Sequence, residues 1–184
     1  MVVSETTNWT TGVRKFGLAG ILARRVDISR GGRELRSAMT KTENAEVFRR
    51  VIEYGFNEGR LDELDQFVAV DFVEHQFGGE SGLRALKELV RGLRTAFPDL
   101  TMTFEDLVST DDKVWARLRC RGTHKGPLMG IPPTGRRMDT MAIEIGRFSD
   151  GKLVEHWGVP DRFAAMTQLG LLPAPGEPRA SSAR

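Results

Sequence analysis

The stretch from Asp139 to Asp161 places the tightest constraint on how this chain can fold. Two runs of alternating apolar and polar residues flank Ser149-Asp150-Gly151. Such alternation is typical of β-strands, and a glycine can adopt the positive φ that closes a short hairpin loop. The sequence therefore predicts a β-hairpin at this point, and the fold must contain antiparallel strands.

The first predicted strand of this hairpin has two unlike faces. Small residues surround a single carboxylate on one face, which carries Thr140, Ala142, Glu144, Gly146 and Phe148. The opposite face is apolar and requires burial, with Met141, Ile143 and Ile145. Because small side chains leave a hollow around the carboxylate, the sequence predicts a cavity on the first face.

The hairpin also predicts which residue faces this carboxylate. If the loop has three residues, Phe148 faces Lys152, and counting outward places Glu144 opposite His156. Directly opposed residues have Cβ atoms about 5 Å apart, so the two side chains are expected to share one face within hydrogen-bonding range. This pair is the best chemical lead in the sequence.

The rest of the chain changes from helical to strand periodicity at Pro98. Before it, apolar residues recur at helical spacing, and after it they alternate with polar residues in two long strands that precede the hairpin. The two helical stripes are Val47, Phe48, Val51, Ile52 and Phe56, and Leu83, Leu86, Leu89, Val90, Leu93 and Phe97, with Ser81 expected to cap the second. Helices followed by an antiparallel sheet predict an α+β domain with the helices on one face.

Length and composition are those of an ordinary globular domain. The chain has 184 residues, of which 40% are hydrophobic and 28% are charged. No apolar run approaches the ~20 residues that a membrane span needs, so no membrane partner is expected. Cys120 is the single cysteine, which excludes an intrachain disulfide and favours a reducing, cytoplasmic location.

Charge is unevenly distributed along the chain. The net charge is +2, but residues 1–38 hold seven Lys/Arg and three Asp/Glu, which leaves a balance of −2 on the remainder. The body of the protein therefore has no basic surplus for binding nucleic acid. Residues 1–40 are interpreted as a flexible basic N-terminal arm, residues 41–172 as the domain, and residues 173–184 as a disordered tail.

Several motifs together carry a family resemblance. The segment GTHKGPLMGIPPTGRR (Gly122 to Arg137), the later DGKLVEHW and the QLG at 168–170 resemble the SnoaL-like polyketide cyclase family, over roughly residues 42–172. That family belongs to the wider group with the nuclear-transport-factor-2-like (NTF2-like) fold. The resemblance implies a cone-shaped α+β fold. N-terminal helices would pack on a strongly curved antiparallel sheet and enclose a ligand cavity. Two copies of the chain would associate through the sheet as a homodimer.

The resemblance also implies a chemistry. The best-known members close a ring by intramolecular aldol condensation of a polyketide ester without a cofactor. An aspartate acts as general acid/base there, assisted by a histidine and an asparagine. In this sequence the aspartate's position is Gly158, the histidine's is Glu144 and the asparagine's is Glu74, so none of the three residue types is retained.

Glu144 and His156 are the predicted catalytic residues. Desolvation in a partly apolar cavity raises the pKa of a carboxyl group towards the range useful for proton abstraction, which makes Glu144 the candidate base. His156 would orient the carboxylate or take a second proton transfer. The alternative is a structural Glu–His pair that satisfies two half-buried polar groups.

Four further residues are candidates for binding a ligand. Glu74 and His75 are adjacent, so only one of them can point inward from a strand, and the family alignment favours Glu74. A second carboxylate in the pocket and a solvated strand end are equally open for Glu74. His124 lies where a strand enters the predicted loop, and anchoring that loop is favoured over catalysis. Trp157 is most simply explained by core or interface packing.

The sequence contains no pattern typical of a metal or phosphate site. Three histidines far apart and a single cysteine do not give metal-ligand spacing, and no glycine-rich phosphate loop is present. No metal and no cofactor are therefore expected.

Three functions remain open from the sequence. The leading one is a cofactor-independent enzyme that abstracts a proton next to a carbonyl in a small hydrophobic compound, as in cyclisation, isomerisation or dehydration. The second is a non-catalytic module that binds an apolar ligand, favoured by the loss of the aspartate at Gly158. The third, an interaction subunit, rests on the basic arm. In each case the apolar face of Met141, Ile143 and Ile145 predicts a homodimer.

Overall fold

A computed structural model of the chain describes residues 42–76 and 80–176. The predicted arm of residues 1–40 lies outside the described residues, as do positions 177–184 of the predicted tail. Of the three predicted regions, only the domain of residues 41–172 lies largely within the described residues.

Helices form at the positions expected from the apolar stripes. Helix α1 covers 42–50 and continues as a π-helical segment, Val51–Asn57, which is followed by a 3-10 helix, Leu61–Gln66. Helix α2 is Leu83–Ala96 and helix α3 is Arg162–Gln168. The sequence did not predict the π-helical turn, because its apolar spacing resembles that of an α-helix.

In the described part of the chain, five strands form one sheet, with β1 Val68–Glu74, β2 Thr101–Ser109, β3 Lys113–Thr123, β4 Arg137–Ser149 and β5 Lys152–Pro160. The spatial order is β1-β5-β4-β3-β2. Strands β2 to β5 pair antiparallel, whereas β1 pairs parallel with β5. The sheet is thus mixed rather than fully antiparallel, because β1 precedes the helix α2 that carries the chain back across the sheet.

The hairpin between β4 and β5 exists, but its predicted register is wrong. Ser149 pairs with Lys152, so the loop has two residues, Asp150 and Gly151, with φ of 51° and 74°. Positive φ at both positions is typical of a type I′ turn. A bulge between the pairs Arg147–Glu155 and Phe148–Leu153 then shifts the second strand. As a result Glu144 faces Gly158, not His156.

The main core lies between the helices and the inner face of the sheet. Phe48 of α1 is buried against Phe148 of β4, with ring centroids 6.0 Å apart at 73°. Burying a side chain of this size contributes about 2–3 kcal/mol to folding. A second cluster of Ala96, Phe97, Leu100 and Leu169 joins the end of α2 to the end of α3. Between the two clusters the packing leaves an opening.

The start of α2 differs from the prediction. Its N-cap is Gly82, at φ 101°, and no side chain caps it. The Ser81 hydroxyl instead accepts a hydrogen bond from the Glu74 backbone N–H at 3.3 Å. The positive φ of Gly82 turns the chain so that its backbone N–H donates to the Phe72 carbonyl, which favours glycine at the cap.

Asn57 at the end of the π-helical segment fastens strand β2 to the helices. Its side-chain Nδ2 donates to the Met102 carbonyl at 3.0 Å, and its Oδ1 accepts from the Met102 N–H at 2.7 Å. The side chain thus pairs with an edge strand as a neighbouring strand would, and it fixes one wall of the opening.

Within residues 42–76 and 80–176, no helix is both long and apolar enough to cross a membrane.

Candidate active site

The opening between the helices and the sheet is a cavity of about 410 Å³. Most of its wall is apolar, with side chains such as Phe56, Phe97, Met102, Met138 and Leu169. Polar side chains reach the cavity from strands β1, β4 and β5 and from the residues that follow β1. A pocket of this size accommodates a small organic molecule, and the few polar groups would fix its orientation.

Glu74, His156 and Glu144 form a continuous hydrogen-bonded row on the cavity wall. The imidazole Nδ1 lies 3.0 and 2.9 Å from the two Glu74 oxygens, and Nε2 lies 2.7 Å from Glu144 Oε2. All three side chains are largely buried, at 15% exposure or less. The predicted contact between Glu144 and His156 is therefore confirmed, although it forms diagonally across the hairpin.

His156 is charged in this arrangement. Burial alone would lower the pKa of the imidazole, but hydrogen bonds to Glu144 and Glu74, with the charges of these carboxylates, outweigh it and raise the pKa to about 9. Both ring nitrogens then carry protons and donate to the flanking carboxylates. The row is a carboxylate–imidazolium–carboxylate cluster with one net negative charge.

Strand pairing explains how residues so distant in sequence meet. Glu74 at the end of β1 is the parallel partner of His156 on β5. Glu144 on β4 faces Gly158 and leans over it towards His156. A Cβ at Gly158 would lie 2.1 Å from Glu144 Oε2, so the carboxylate occupies the space that any side chain at position 158 would need.

Glu144 has one oxygen committed and one available. Oε2 accepts from His156, whereas Oε1 has no hydrogen-bond partner among the described residues and is not sealed from the cavity. A carboxylate held by an imidazolium on one side and open to an apolar cavity on the other can exchange a proton with a bound molecule.

Gln76 is a cavity residue that the sequence did not indicate. Its backbone N–H donates to Glu74 Oε1 at 2.8 Å, and its side-chain amide lies over Gly158 beside the Glu144 carboxylate. A lone glutamine after a strand end carries no recognisable pattern. Only the parallel pairing of β1 with β5 brings it to the site.

His75 and Trp157 do not line the cavity. Their rings stack on each other with centroids 4.6 Å apart and nearly parallel planes, and His75 Nε2 lies 3.2 Å from Glu155. They alternate with Glu74 and His156 along their strands, so they belong to the outer face of the sheet. Their predicted role in ligand binding is therefore not supported by position.

His124 is fully buried beside Phe97 and also stays out of the cavity wall. Its Nδ1 accepts from the Thr134 N–H at 3.2 Å, and its backbone pairs with Gly135 and Arg136. These contacts hold the two ends of the loop between β3 and β4 together. The structure places His124 as the loop anchor that the sequence favoured over a catalytic role.

Cys120 and Arg162 are two further polar residues of the cavity wall. Burial, with a smaller effect of the Glu144 charge, raises the pKa of the Cys120 thiol to about 12, so the thiol is not a nucleophile at neutral pH. Arg162 lies at the start of α3, beyond the end of β5. Among the described residues, no group of three His, Cys, Asp or Glu side chains is placed to hold a metal ion.

Known proteins are similar to this chain in sequence. Nogalonic acid methyl ester cyclase of Streptomyces nogalater is 31% identical over 120 residues, 62% of this chain and 89% of that protein. Aklanonic acid methyl ester cyclase DnrD of Streptomyces peucetius is 30% identical over 132 residues, 68% of this chain and 89% of that protein.

Solved structures agree with the sequence comparison. TsrD from Streptomyces laurentii superposes with a TM-score of 0.67 at 29% identity, covering 72% of this chain and 98% of that chain. The NTF2-like α+β fold expected from the sequence is confirmed. The model of one family, described as SnoaL-like polyketide cyclase, matches residues 46–169. This chain therefore belongs to the SnoaL-like polyketide cyclase family.

Proposed function

We propose that this protein closes a ring in a small, hydrophobic polyketide-type compound by intramolecular aldol condensation, without a cofactor, with Glu144 as the general acid/base. The observation that carries the proposal is the buried Glu144 carboxylate, hydrogen-bonded to His156 on one side and open to an apolar cavity on the other. Two relatives are named as methyl ester cyclases, which supports a substrate of that class.

The reaction needs a single carboxylate that accepts a proton and gives it back. Glu144 Oε1 takes a proton from the carbon next to a carbonyl, and the C–H electron pair forms an enolate. The enolate carbon attacks a second carbonyl carbon of the same molecule, which forms the C–C bond and leaves an alkoxide. The alkoxide takes the proton back from Glu144, so atoms and charge balance.

His156 and Glu74 set the state of the base. The imidazolium donates to Glu144 Oε2, which fixes the rotamer of the carboxylate. Glu74 holds the other ring nitrogen and keeps the imidazole charged. In this proposal His156 orients the base, and Glu74 orients His156.

The absence of an aspartate at position 158 does not remove the carboxylate from this site. Glu144 reaches across from the neighbouring strand and places Oε2 at the point where a side chain at Gly158 would begin. The family's aspartate would reach this point from β5, at the position of Gly158, whereas Glu144 reaches the same point from β4. This arrangement favours catalysis over the non-catalytic binding module.

The test is a ring-closure assay with wild type and Glu144→Gln, followed by mass spectrometry. Substrates are aklanonic acid methyl ester, nogalonic acid methyl ester and a panel of β-keto esters. Glu144→Gln keeps the shape but deletes the base, so the rate should fall about 10²- to 10⁴-fold while ligand affinity and fold are kept. Ring closure by the variant at the wild-type rate would exclude Glu144 as the base. Tight binding without turnover by the wild type would favour the binding module.

A further inference from the structure

Proton abstraction next to a carbonyl creates negative charge on the carbonyl oxygen, and that oxygen needs a hydrogen-bond donor. His156 cannot supply it without leaving its partners, because Nδ1 donates to Glu74 and Nε2 donates to Glu144. The donor that stabilises the enolate oxygen must therefore be a residue other than Glu144, His156 and Glu74.

Four other cavity residues carry donors, namely Gln76, Cys120, Thr140 and Arg162. Thr140 lies four residues from Glu144 along β4, which is about 13 Å at the rise of a strand. Cys120 pairs with Thr140 across the sheet and offers only a weak S–H donor. Arg162 is the first residue of α3, beyond the end of β5, and it already has an interaction partner of its own.

Gln76 is the donor that lies beside the base. The point where a Cβ on Gly158 would stand is 2.1 Å from Glu144 Oε2 and 2.8 Å from Gln76 Oε1. Two atoms this close to one point are at most about 5 Å apart. The bond from the Gln76 backbone N–H to Glu74 Oε1, at 2.8 Å, fixes the residue to the same row of side chains.

The Gln76 amide is also uncommitted. Its side chain has no hydrogen-bond partner in the part of the chain that the structure describes, and it faces the cavity. The N–H₂ group of an amide in the cavity wall can donate a hydrogen bond to an oxygen atom of a ligand.

We propose that the Gln76 side-chain amide is the oxyanion donor of this site. A base oxygen about 3 Å from the reacting carbon and a donor about 3 Å from the adjacent carbonyl oxygen stand roughly 5 Å apart, and the Gln76 amide lies within this range of the Glu144 carboxylate. As Glu144 takes the proton, the electron pair of the C–H bond moves towards the carbonyl oxygen, and the amide N–H donates to the enolate that forms. The inference rests on the proposed function and adds the electrophilic group to it.

The test uses 4-nitrophenol, whose phenolate has the charge and shape of an enolate oxygen and can be followed by its absorbance. Its affinity is measured by titration above and below its own pKa for wild type, Gln76→Leu and the control Gln66→Leu, at an exposed glutamine that does not line the cavity. We expect Gln76→Leu to weaken binding of the phenolate about tenfold while binding of neutral 4-nitroanisole is unchanged. Gln66→Leu should match wild type for both. Equal phenolate affinity in wild type and Gln76→Leu, including no binding by either, overturns the proposal.

Ring-closure kinetics separate this inference from the proposed function. Loss of an oxyanion donor lowers kcat about 10²- to 10³-fold and leaves KM nearly unchanged. If wild type cyclises a substrate and Gln76→Leu does so equally fast, the Gln76 assignment fails alone. If wild type cyclises nothing while Gln76→Leu still loses phenolate affinity, the aldol proposal fails and the donor assignment stands. A thermal melt of each variant checks folding.

Discussion

Gly158 shows how one missing side chain determines where a charged group lies. Glu144 is longer by one methylene than an aspartate, and it uses this length to cross from β4 to the space above β5. That space is available because Gly158 has no Cβ atom. The sequence reveals that position 158 lacks a carboxylate, but only the packing of the two strands reveals that Glu144 fills its place.

Gly158→Ala should therefore impair the site. Its methyl group would stand 2.1 Å from Glu144 Oε2 and force the carboxylate away from His156. We expect a loss of about 1–3 kcal/mol in the free energy of unfolding, measured with urea, and a fall in any ring-closure activity.

The control is Gly92→Ala, because a Cβ at Gly92 on the exposed side of α2 meets no atom within 4 Å. That substitution should be neutral or stabilising by about 0.5–1 kcal/mol. Equal effects of both would contradict this account.

The charge of His156 can be tested by its pH dependence. A folded pKa of about 9, raised from the ordinary 6.5, means that the imidazolium adds stability below pH 6.5. That contribution declines as the pH rises above 6.5 and is gone above about 9. The His156 ring resonances should titrate near pH 9 in NMR spectra, and Glu74→Gln should lower this pKa because one of the two carboxylates is neutralised.

The matched control for this titration is Glu155→Gln. Glu155 is hydrogen-bonded to Arg147 and His75 on the outer face of the sheet, whereas the His156 ring is hydrogen-bonded to Glu74 and Glu144. We expect Glu155→Gln to leave the His156 titration where it is in wild type. A His156 pKa near 6.5 in the wild-type protein would show that the two carboxylates do not hold the imidazole as a cation.

At the scale of elements, the faces of the hairpin strands could be predicted from the sequence, but their register could not. Alternation predicted which residues of β4 face inward, and Ala142, Glu144 and Phe148 are buried as expected. The register was wrong because a two-residue loop and a bulge beyond Arg147 together replace the simple three-residue loop. A bulge leaves no mark in an alternating pattern, so inward and outward faces are predictable while cross-strand partners are not.

The link between the π-helical segment and β2 can be tested at Asn57. Asn57→Ala would remove both hydrogen bonds to the Met102 backbone and leave an edge strand without that partner. We expect a loss of about 1–3 kcal/mol in the free energy of unfolding by urea, with a looser cavity wall at Met102.

Arg60→Ala serves as the comparison for Asn57→Ala. The Arg60 guanidinium pairs with Glu58 and Glu63 near the surface, and exposed ion pairs contribute little to stability. This variant should unfold at nearly the same urea concentration as wild type. If both variants unfold at the same urea concentration, the Asn57 side chain does not hold β2.

At the scale of the whole molecule, the family and the α+β architecture could be predicted from the sequence, while the site could be predicted only in part. Glu144 was identified because the family position and the hairpin pattern agree on it. His156 followed from the hairpin count alone, and Glu74 followed from the family alignment. Gln76 was missed, and His75 and Trp157 were included. Their placement depends on the parallel pairing of β1 with β5, a contact between strands that are far apart in the sequence and leave no local pattern.

The outer face of the sheet leads to a proposal about assembly. Trp115, Met141, Ile143 and Val159 are 46%, 43%, 37% and 73% exposed there, and Ile143 pairs with Val159 across β4 and β5. The neighbouring Arg119 side chain is hydrogen-bonded to Asp139, so its charge is paired within the chain. We propose that a second copy of the chain covers this apolar face, because exposed patches of this kind mark interfaces.

Light scattering at micromolar concentration should then give the mass of a dimer for wild type and of a monomer for Ile143→Asp. Leu172→Asp is the control, because Leu172 is also 37% exposed but lies after α3 and away from the sheet. A monomeric wild-type protein, or an Ile143→Asp protein that still has the wild-type mass, would contradict a dimer through this face.

The parallel pairing of β1 with β5 has a consequence for how the protein is made. Glu74 and His156 are separated by 82 positions, and closing a loop of that length costs about 4 kcal/mol of chain entropy. During synthesis β1 emerges long before the strand beside which it must lie. The ribosome must therefore deliver nearly all of the domain before the row Glu74–His156–Glu144 can exist. A nascent chain that stops short of β5 has a fully synthesised base, yet nothing holds that base in place.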